Sequence, residues 1–209
     1  MDAILNDRDY EKYIREYGKR FINYKPDVSS YFKTSFSPGF IKWLNSDGVG
    51  VSTGNGAMMR IAPIGLLFND LDTISEECFK ATSCSHNSDE AIQSSKIIAS
   101  IIYLARCGHS KEEIIDLLDL NIKYVPFSKF NTTCSETIGN CLYAVFTSDS
   151  YEDAIKKVIS FGGDTDTNAC IVGGMAEALF GLDNKLIEEA KEKIPKEFVK
   201  VLELGYMSR

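Results

Sequence analysis

Three stretches of the chain gather residue types that do chemistry. The first is Phe161-Gly162-Gly163-Asp164-Thr165-Asp166-Thr167-Asn168. Its two glycines let the backbone turn tightly or approach a ligand closely. Two carboxylates and a hydroxyl then cluster at the start of a predicted helix. Such hard oxygens are the donors that Mg2+, Mn2+ or Ca2+ prefer. Plain helix capping accounts for the same residue types, because Asp and Thr are favoured at a helix N-terminus by the dipole and by free N–H groups. Two better-defined motifs are excluded by counting. An EF-hand loop starting at Asp164 needs Gly at position 169 and Glu at position 175, where the chain has Ala169 and Met175. A phosphatase with an aspartyl nucleophile puts Thr or Val where Asn168 stands, and too little chain follows Asp166 for its α/β core.

The second stretch is Gly54-Asn55-Gly56-Ala57-Met58-Met59-Arg60. It is not a dinucleotide fingerprint, since Met59 occupies the third glycine position and no strand precedes it. Exposed N–H groups in a Gly-Asn-Gly turn can bind a phosphate or a sugar hydroxyl. A turn ahead of a helix over 57–68 is the simpler reading of these residues alone. The third stretch, Ser83-Cys84-Ser85-His86-Asn87-Ser88-Asp89-Glu90-Ala91, holds one of only two histidines. His86 can bond a ligand or a backbone carbonyl, with Ser88 or Asp89 capping the helix that follows. A Cys84–His86 hydrolase pair is disfavoured, because neighbours two apart rarely bring thiol and base together. His109, in Cys107-Gly108-His109-Ser110, reads as a helix-end or loop residue.

The elements that must position these stretches follow a helical period. Tyr10, Tyr13, Ile14, Tyr17 and Phe21 share one helix face, and Leu71, Ile74, Cys78 and Phe79 another. Over 91–105 apolar residues cover most of the circumference, the mark of a central, buried helix that stops at Gly108. Ser110 and Glu113 form a predicted capping box. Ile138, Cys141, Leu142, Val145, Phe146 and then Tyr151, Ala154, Ile155, Val158, Ile159 repeat the pattern. The helix after Thr167 is rich in small residues, and adjacent Gly173 and Gly174, each costing about 1 kcal/mol against Ala, predict a close-passing backbone. Gly181 suits its C-terminus, Pro195 the first turn of a last helix, and Gly205 that helix's end. Only 49–51 and 157–161 look β-like, and the second fits its helix better. The expectation is a single all-α domain over 1–209 with eight to ten helices. The loop-rich part is 25–56, where long loops tend to carry function.

Composition agrees. Hydrophobic residues make up 44% and charged ones 25%, which excludes wholesale disorder. With 23 Lys+Arg against 30 Asp+Glu the net charge is −7, which argues against nucleic acid and anionic membranes and suits cations. The first residues lack the apolar core of a signal peptide, so a cytoplasmic location is expected. The run over 97–105 is too short to span a bilayer. Six cysteines at 78, 84, 107, 134, 141 and 170 form no Cys-x-x-Cys pair, and Cys141 is expected as a buried thiol. Asn131-Thr132-Thr133 matches a glycosylation sequon.

Together and in this order, the three stretches resemble the ADP-ribosylglycohydrolase family over nearly the whole chain. Gly54-Asn55-Gly56-Ala57-Met58-Met59-Arg60-Ile61-Ala62-Pro63-Ile64-Gly65 resembles the family's Gly-Asn-Gly-x-x-Met-Arg segment. Ser85-His86-Asn87 is similar to its Thr-His segment, and Phe161 to Thr167 to its most diagnostic signature. The resemblance implies hydrolysis of the glycosidic bond between ADP-ribose and a protein side chain or small acceptor. It implies Mg2+ in the cleft, two ions in the family, with Mn2+ as an alternative. Asp164, Asp166 and Thr167 would be metal ligands, and Gly54, Asn55, Gly56 and His86 would line the ADP-ribose site; no residue is assigned to catalysis. ADP-ribose or an ADP-ribosylated protein would be the partner. The family's Gly-Asp-containing first helix and Thr-Asp-Asp-Thr motif have no counterpart, and Asp7, Asp9 and Asp47 do not reproduce them. The chain therefore reads as N-terminally incomplete, lacking the first helices, with at most a partial metal site. The alternative is a catalytically deficient member that binds ADP-ribose or a protein partner.

Overall fold

The computed structural model describes residues 1–23, 36–127 and 129–208. Among them the helices are α1 (Asp2–Leu5), α2 (Tyr10–Phe21), α3 (Pro38–Leu44), α4 (Ala62–Leu67), α5 (Leu71–Ser83), α6 (Asp89–Arg106), α7 (Lys111–Leu117), α8 (Cys134–Phe146), α9 (Tyr151–Ser160), α10 (Thr165–Phe180), α11 (Asn184–Lys193) and α12 (Lys196–Met207). A 3-10 helix, Asn55–Arg60, precedes α4. The described residues form no strand, only isolated bridges between Val51 and His86 and between Gly54 and Thr133. The all-α expectation holds.

Helix α6 is the axis. Ser88 caps it by accepting from the Ala91 amide, and Ile98, Ile101, Ile102 and Leu104 are all buried along it. It packs against α4, α5, α8 and α10. Burial of each such side chain contributes about 1.5–3 kcal/mol relative to exposure, which outweighs any local propensity. Helix α4 crosses α6 at backbone contact: a Cβ on Gly65 would lie 2.3 Å from the Ala99 carbonyl oxygen. The Ser110–Glu113 capping box is present, and a second one, Thr133–Glu136, opens α8. Cys141 is buried, as expected, and all six cysteines are free thiols. Among the described residues no helix is long and apolar enough to cross a membrane.

Several local expectations are corrected. Among the described residues twelve α-helices replace eight to ten: α1 and α3 are too short to show a period, and α11, a polar helix without buried residues, lies outside the expected set. The helix over 57–68 is broken at Ile61: Pro63 has no amide hydrogen and fits only the first turn of a new helix. Gly205 does not end the last helix. It lies buried inside α12, where a Cβ would collide with Met1 Sδ at 2.0 Å, so it seats the chain start. Gly173 and Gly174 face side chains rather than a passing backbone, namely the Tyr151 hydroxyl and the Ala62 Cβ. Leu71, Phe79 and Ile159 are exposed. Of the loop-rich stretch 25–56, residues 25–35 lie outside the described residues, and α3 occupies part of the remainder.

Candidate functional site

The acidic stretch is built on a turn that only this sequence of small residues permits. Gly163 has φ +71°, and a Cβ there would sit 2.2 Å from Asn131 Oδ1. That oxygen accepts instead from the Asp164 amide at 2.7 Å. Asp164 is the N-cap of α10, yet its side chain makes no capping bond. Its Oδ2 accepts from Asn55 Nδ2 at 2.8 Å. Plain capping therefore does not explain Asp164. Burial raises its carboxyl above the ordinary range, the Asn55 bond opposes this, and the neighbouring Asp166 raises it further. Asp166 is exposed and Thr167 buried, one helical residue further on.

Asn55 is held from both sides. Its amide donates to the Thr132 carbonyl at 2.9 Å, and the Cys134 amide donates to the Thr53 carbonyl at 2.9 Å. These bonds fasten the Gly-Asn-Gly turn to the start of α8. Sequence reasoning missed the hub beneath it. Asn131 is 1% exposed, and its Nδ2 donates to Thr137 Oγ1 at 2.8 Å and to Asn168 Oδ1 at 2.9 Å. Its burial and its bonds leave no room for a glycan. The signal for this network was present on the helices: Thr137 and Asn168 are polar residues on otherwise apolar stripes, where a buried partner is required.

His86 lies beside the Gly-Asn-Gly turn, its Nε2 3.5 Å from where a Cβ on Gly54 would sit. Its backbone amide donates to the Thr82 carbonyl at 2.8 Å and its Nδ1 lies 2.7 Å from Ser85 Oγ. Arg60 Nη1 donates to the same Ser85 oxygen at 3.0 Å. Burial, then the Arg60 charge, pulls the His86 pKa down to about 3, so the ring is neutral at pH 7. The Cys84–His86 pair is excluded by geometry. The Cys84 thiol donates to the Ala81 carbonyl, and burial pushes its pKa up, away from the thiolate.

One cavity of about 920 Å3 joins these residues. All of the expected site residues, Gly54, Asn55, Gly56, His86, Asp164, Asp166 and Thr167, line it. The aromatic side chains of Tyr10, Tyr13, Tyr17 and Phe40 line it as well. That size accommodates a ligand of several hundred daltons. Neither Asp164 nor Asp166 is paired with a Lys or Arg among the described residues. Two adjacent carboxylates with a hydroxyl, facing the cavity and bearing no ion pair, offer donors to one hard divalent cation whose remaining positions would be filled by water or ligand oxygens. Among the described residues no three His, Cys, Asp or Glu side chains gather, so an ion there would take most of its ligands from water or the bound molecule.

Residues 6–206 match the family model for ADP-ribosylglycohydrolase. The chain belongs to that family. Over 146 residues this ADP-ribosylglycohydrolase-family chain is 27% identical to ADP-ribosylarginine hydrolase Tri1 of Pseudomonas putida (strain GB-1), spanning 63% of this chain and 39% of that protein. An uncharacterized protein of Archaeoglobus fulgidus is 23% identical over 163 residues, 66% of this chain and 53% of its own length. The chain thus spans about half or less of these relatives. A solved structure, the ADP-ribosylglycohydrolase-related protein complex, superimposes with a TM-score of 0.62, covering 95% of this chain and 69% of that one. At 19% identity that likeness establishes the ADP-ribosylglycohydrolase fold.

Proposed function

We propose that the cavity binds ADP-ribose and that the protein hydrolyses the glycosidic bond joining it to a protein side chain or small acceptor. The observation that carries this reading is the convergence of Asp164, Asp166, Thr167, Asn55 and His86 on one cavity in a chain of this family. Asp164, Asp166 and Thr167 would hold Mg2+ or Mn2+. When bound, the ion supplies Lewis-acid polarisation and orients ligand oxygens. The chain's own residues do the rest. Asn55 and Asn131 fix Asp164 by side chain and by backbone, so its carboxylate is positioned before any ligand arrives. The rings of Tyr13, Tyr17 and Phe40 offer apolar faces to a nucleobase, which stacking favours.

The test uses ADP-ribosylated arginine, chosen from the name of the Pseudomonas relative, with Mg2+ present or chelated. Expected is release of free ADP-ribose that stops on chelation. A second reading, binding without turnover, is favoured by the donor count of two carboxylates. Calorimetric binding of ADP-ribose with no release would support it, and absence of binding would overturn both.

A further inference from the structure

We infer that Arg60 and Ser85 lock His86 in the neutral tautomer with the proton on Nε2, making it a fixed hydrogen-bond donor to an oxygen of the bound ligand. The argument is an accounting of protons. Ser85 is 2% exposed and has one hydroxyl proton to place. Its oxygen already accepts from Arg60 Nη1 at 3.0 Å, and a guanidinium only donates. The strong acceptor in reach is His86 Nδ1 at 2.7 Å; the neighbouring Cys84 sulfur is a weak one. If Nδ1 carried the proton instead, the Ser85 hydroxyl would be left buried without a good acceptor, a costly arrangement. Nδ1 is therefore the acceptor, and a neutral imidazole then has its proton on Nε2.

Nε2 has no hydrogen-bond partner among the described residues, and it is not sealed from the cavity that His86 lines. It sits beside Gly54, where a Cβ would come within 3.5 Å of it. A donor fixed there meets a ligand oxygen without reorganising. It cannot act as a base, because its one lone pair is spent on Ser85 and a second proton would place a cation next to Arg60. Arg60 and Ser85 are positioning residues that act through His86. The tautomer is a property of the chain; its use as a donor rests on the ADP-ribose reading above.

The experiment is nitrogen NMR on the uniformly 15N-labelled protein, with His109→Asn removing the only other histidine. At pH 7 a long-range proton–nitrogen correlation is expected to show Nε2 protonated and Nδ1 bare. A protonated Nδ1, or the averaged shifts of a mixture, overturns the lock. Adding ADP-ribose is expected to move the Nε2 resonance; binding that leaves it unmoved overturns the donor role. ADP-ribose that does not bind at all overturns the functional reading, while the free-protein spectrum still decides the tautomer. Ser85→Ala is expected to give mixed tautomers and to weaken ADP-ribose roughly tenfold, about one net hydrogen bond. Ser85→Thr, which keeps the hydroxyl, is expected to restore the single tautomer.

Discussion

Asn131 holds Asp164 by its backbone, while Asn55 holds it by its carboxylate, and the two amides together leave Asp164 little freedom. Removing the first is predicted to be costly out of proportion to its size. Asn131→Ala strands Asn168 Oδ1 and the Asp164 amide in a buried place, each an unsatisfied group worth about 1–3 kcal/mol. Urea unfolding should show a loss of about 2–4 kcal/mol, and a loss under 1 would mean that water replaces the amide. The carboxylates make the opposite prediction. Asp166→Asn removes one of two neighbouring negative charges, so the metal-free protein should melt no lower than wild type. The same variant should lose the rise in melting temperature that added Mg2+ gives by mass action, on the order of 1 kcal/mol once free Mg2+ is about four to five times the dissociation constant. An unchanged response to Mg2+ against EDTA would remove Asp166 from the ion site.

At the scale of elements, helices with an apolar stripe or a cap signal were legible, and α1, α3 and the polar α11 were not. The run over 91–105 announced α6 because apolar residues on nearly every side permit only a buried helix, and Ser110 with Glu113 announced α7 through its cap alone. The three stretches with chemistry were also legible, since glycines and carboxylates are rare enough in pattern to be noticed. Asn131 was not, because it lies in a coil with no period, and its partners Thr137 and Asn168 come from two different helices. Close approach of elements was legible only as the presence of glycine, never as which glycine matters. Gly173 and Gly174 drew attention by adjacency, whereas the tight crossing is at Gly65. Gly65→Ala forces α4 off the Ala99 carbonyl and is predicted to cost at least about 2 kcal/mol, within the range for overpacking. Gly139→Ala, in α8 with open space around its Cβ position, is predicted to gain up to about 1 kcal/mol from helix propensity. Thermal melts of the pair should therefore move in opposite directions, and a shared direction would contradict the placement of α4 against α6.

For the whole molecule, the buried neutral His86 sets how stability depends on pH. Its pKa of about 3 in the fold lies below the ordinary 6.5, so on acidification the unfolded chain takes up the proton first. Stability from this group is complete above pH 6.5 and is lost as pH falls toward 3, with a slope approaching 1.4 kcal/mol per unit, about RT ln 10. Two other titratable groups, Glu77 and the half-buried Asp164, bracket the effect. Burial would raise the Glu77 carboxyl, but hydrogen bonds from Lys80 and Tyr10 outweigh it and hold the pKa below 4.5, so its contribution is lost only in stronger acid. The raised Asp164 carboxyl acts in the opposite sense, since the folded state protonates there first. A His86→Asn variant keeps both and removes only the imidazole. The difference between wild type and variant, followed by urea unfolding from pH 7.5 to 5, should therefore shrink steadily below pH 6.5 as wild type loses what the variant never had. Curves that stay parallel across that range would mean that His86 takes up a proton in the fold as readily as outside it, and that the wall of the cavity is wetter than its packing against Ser85 and Arg60 requires.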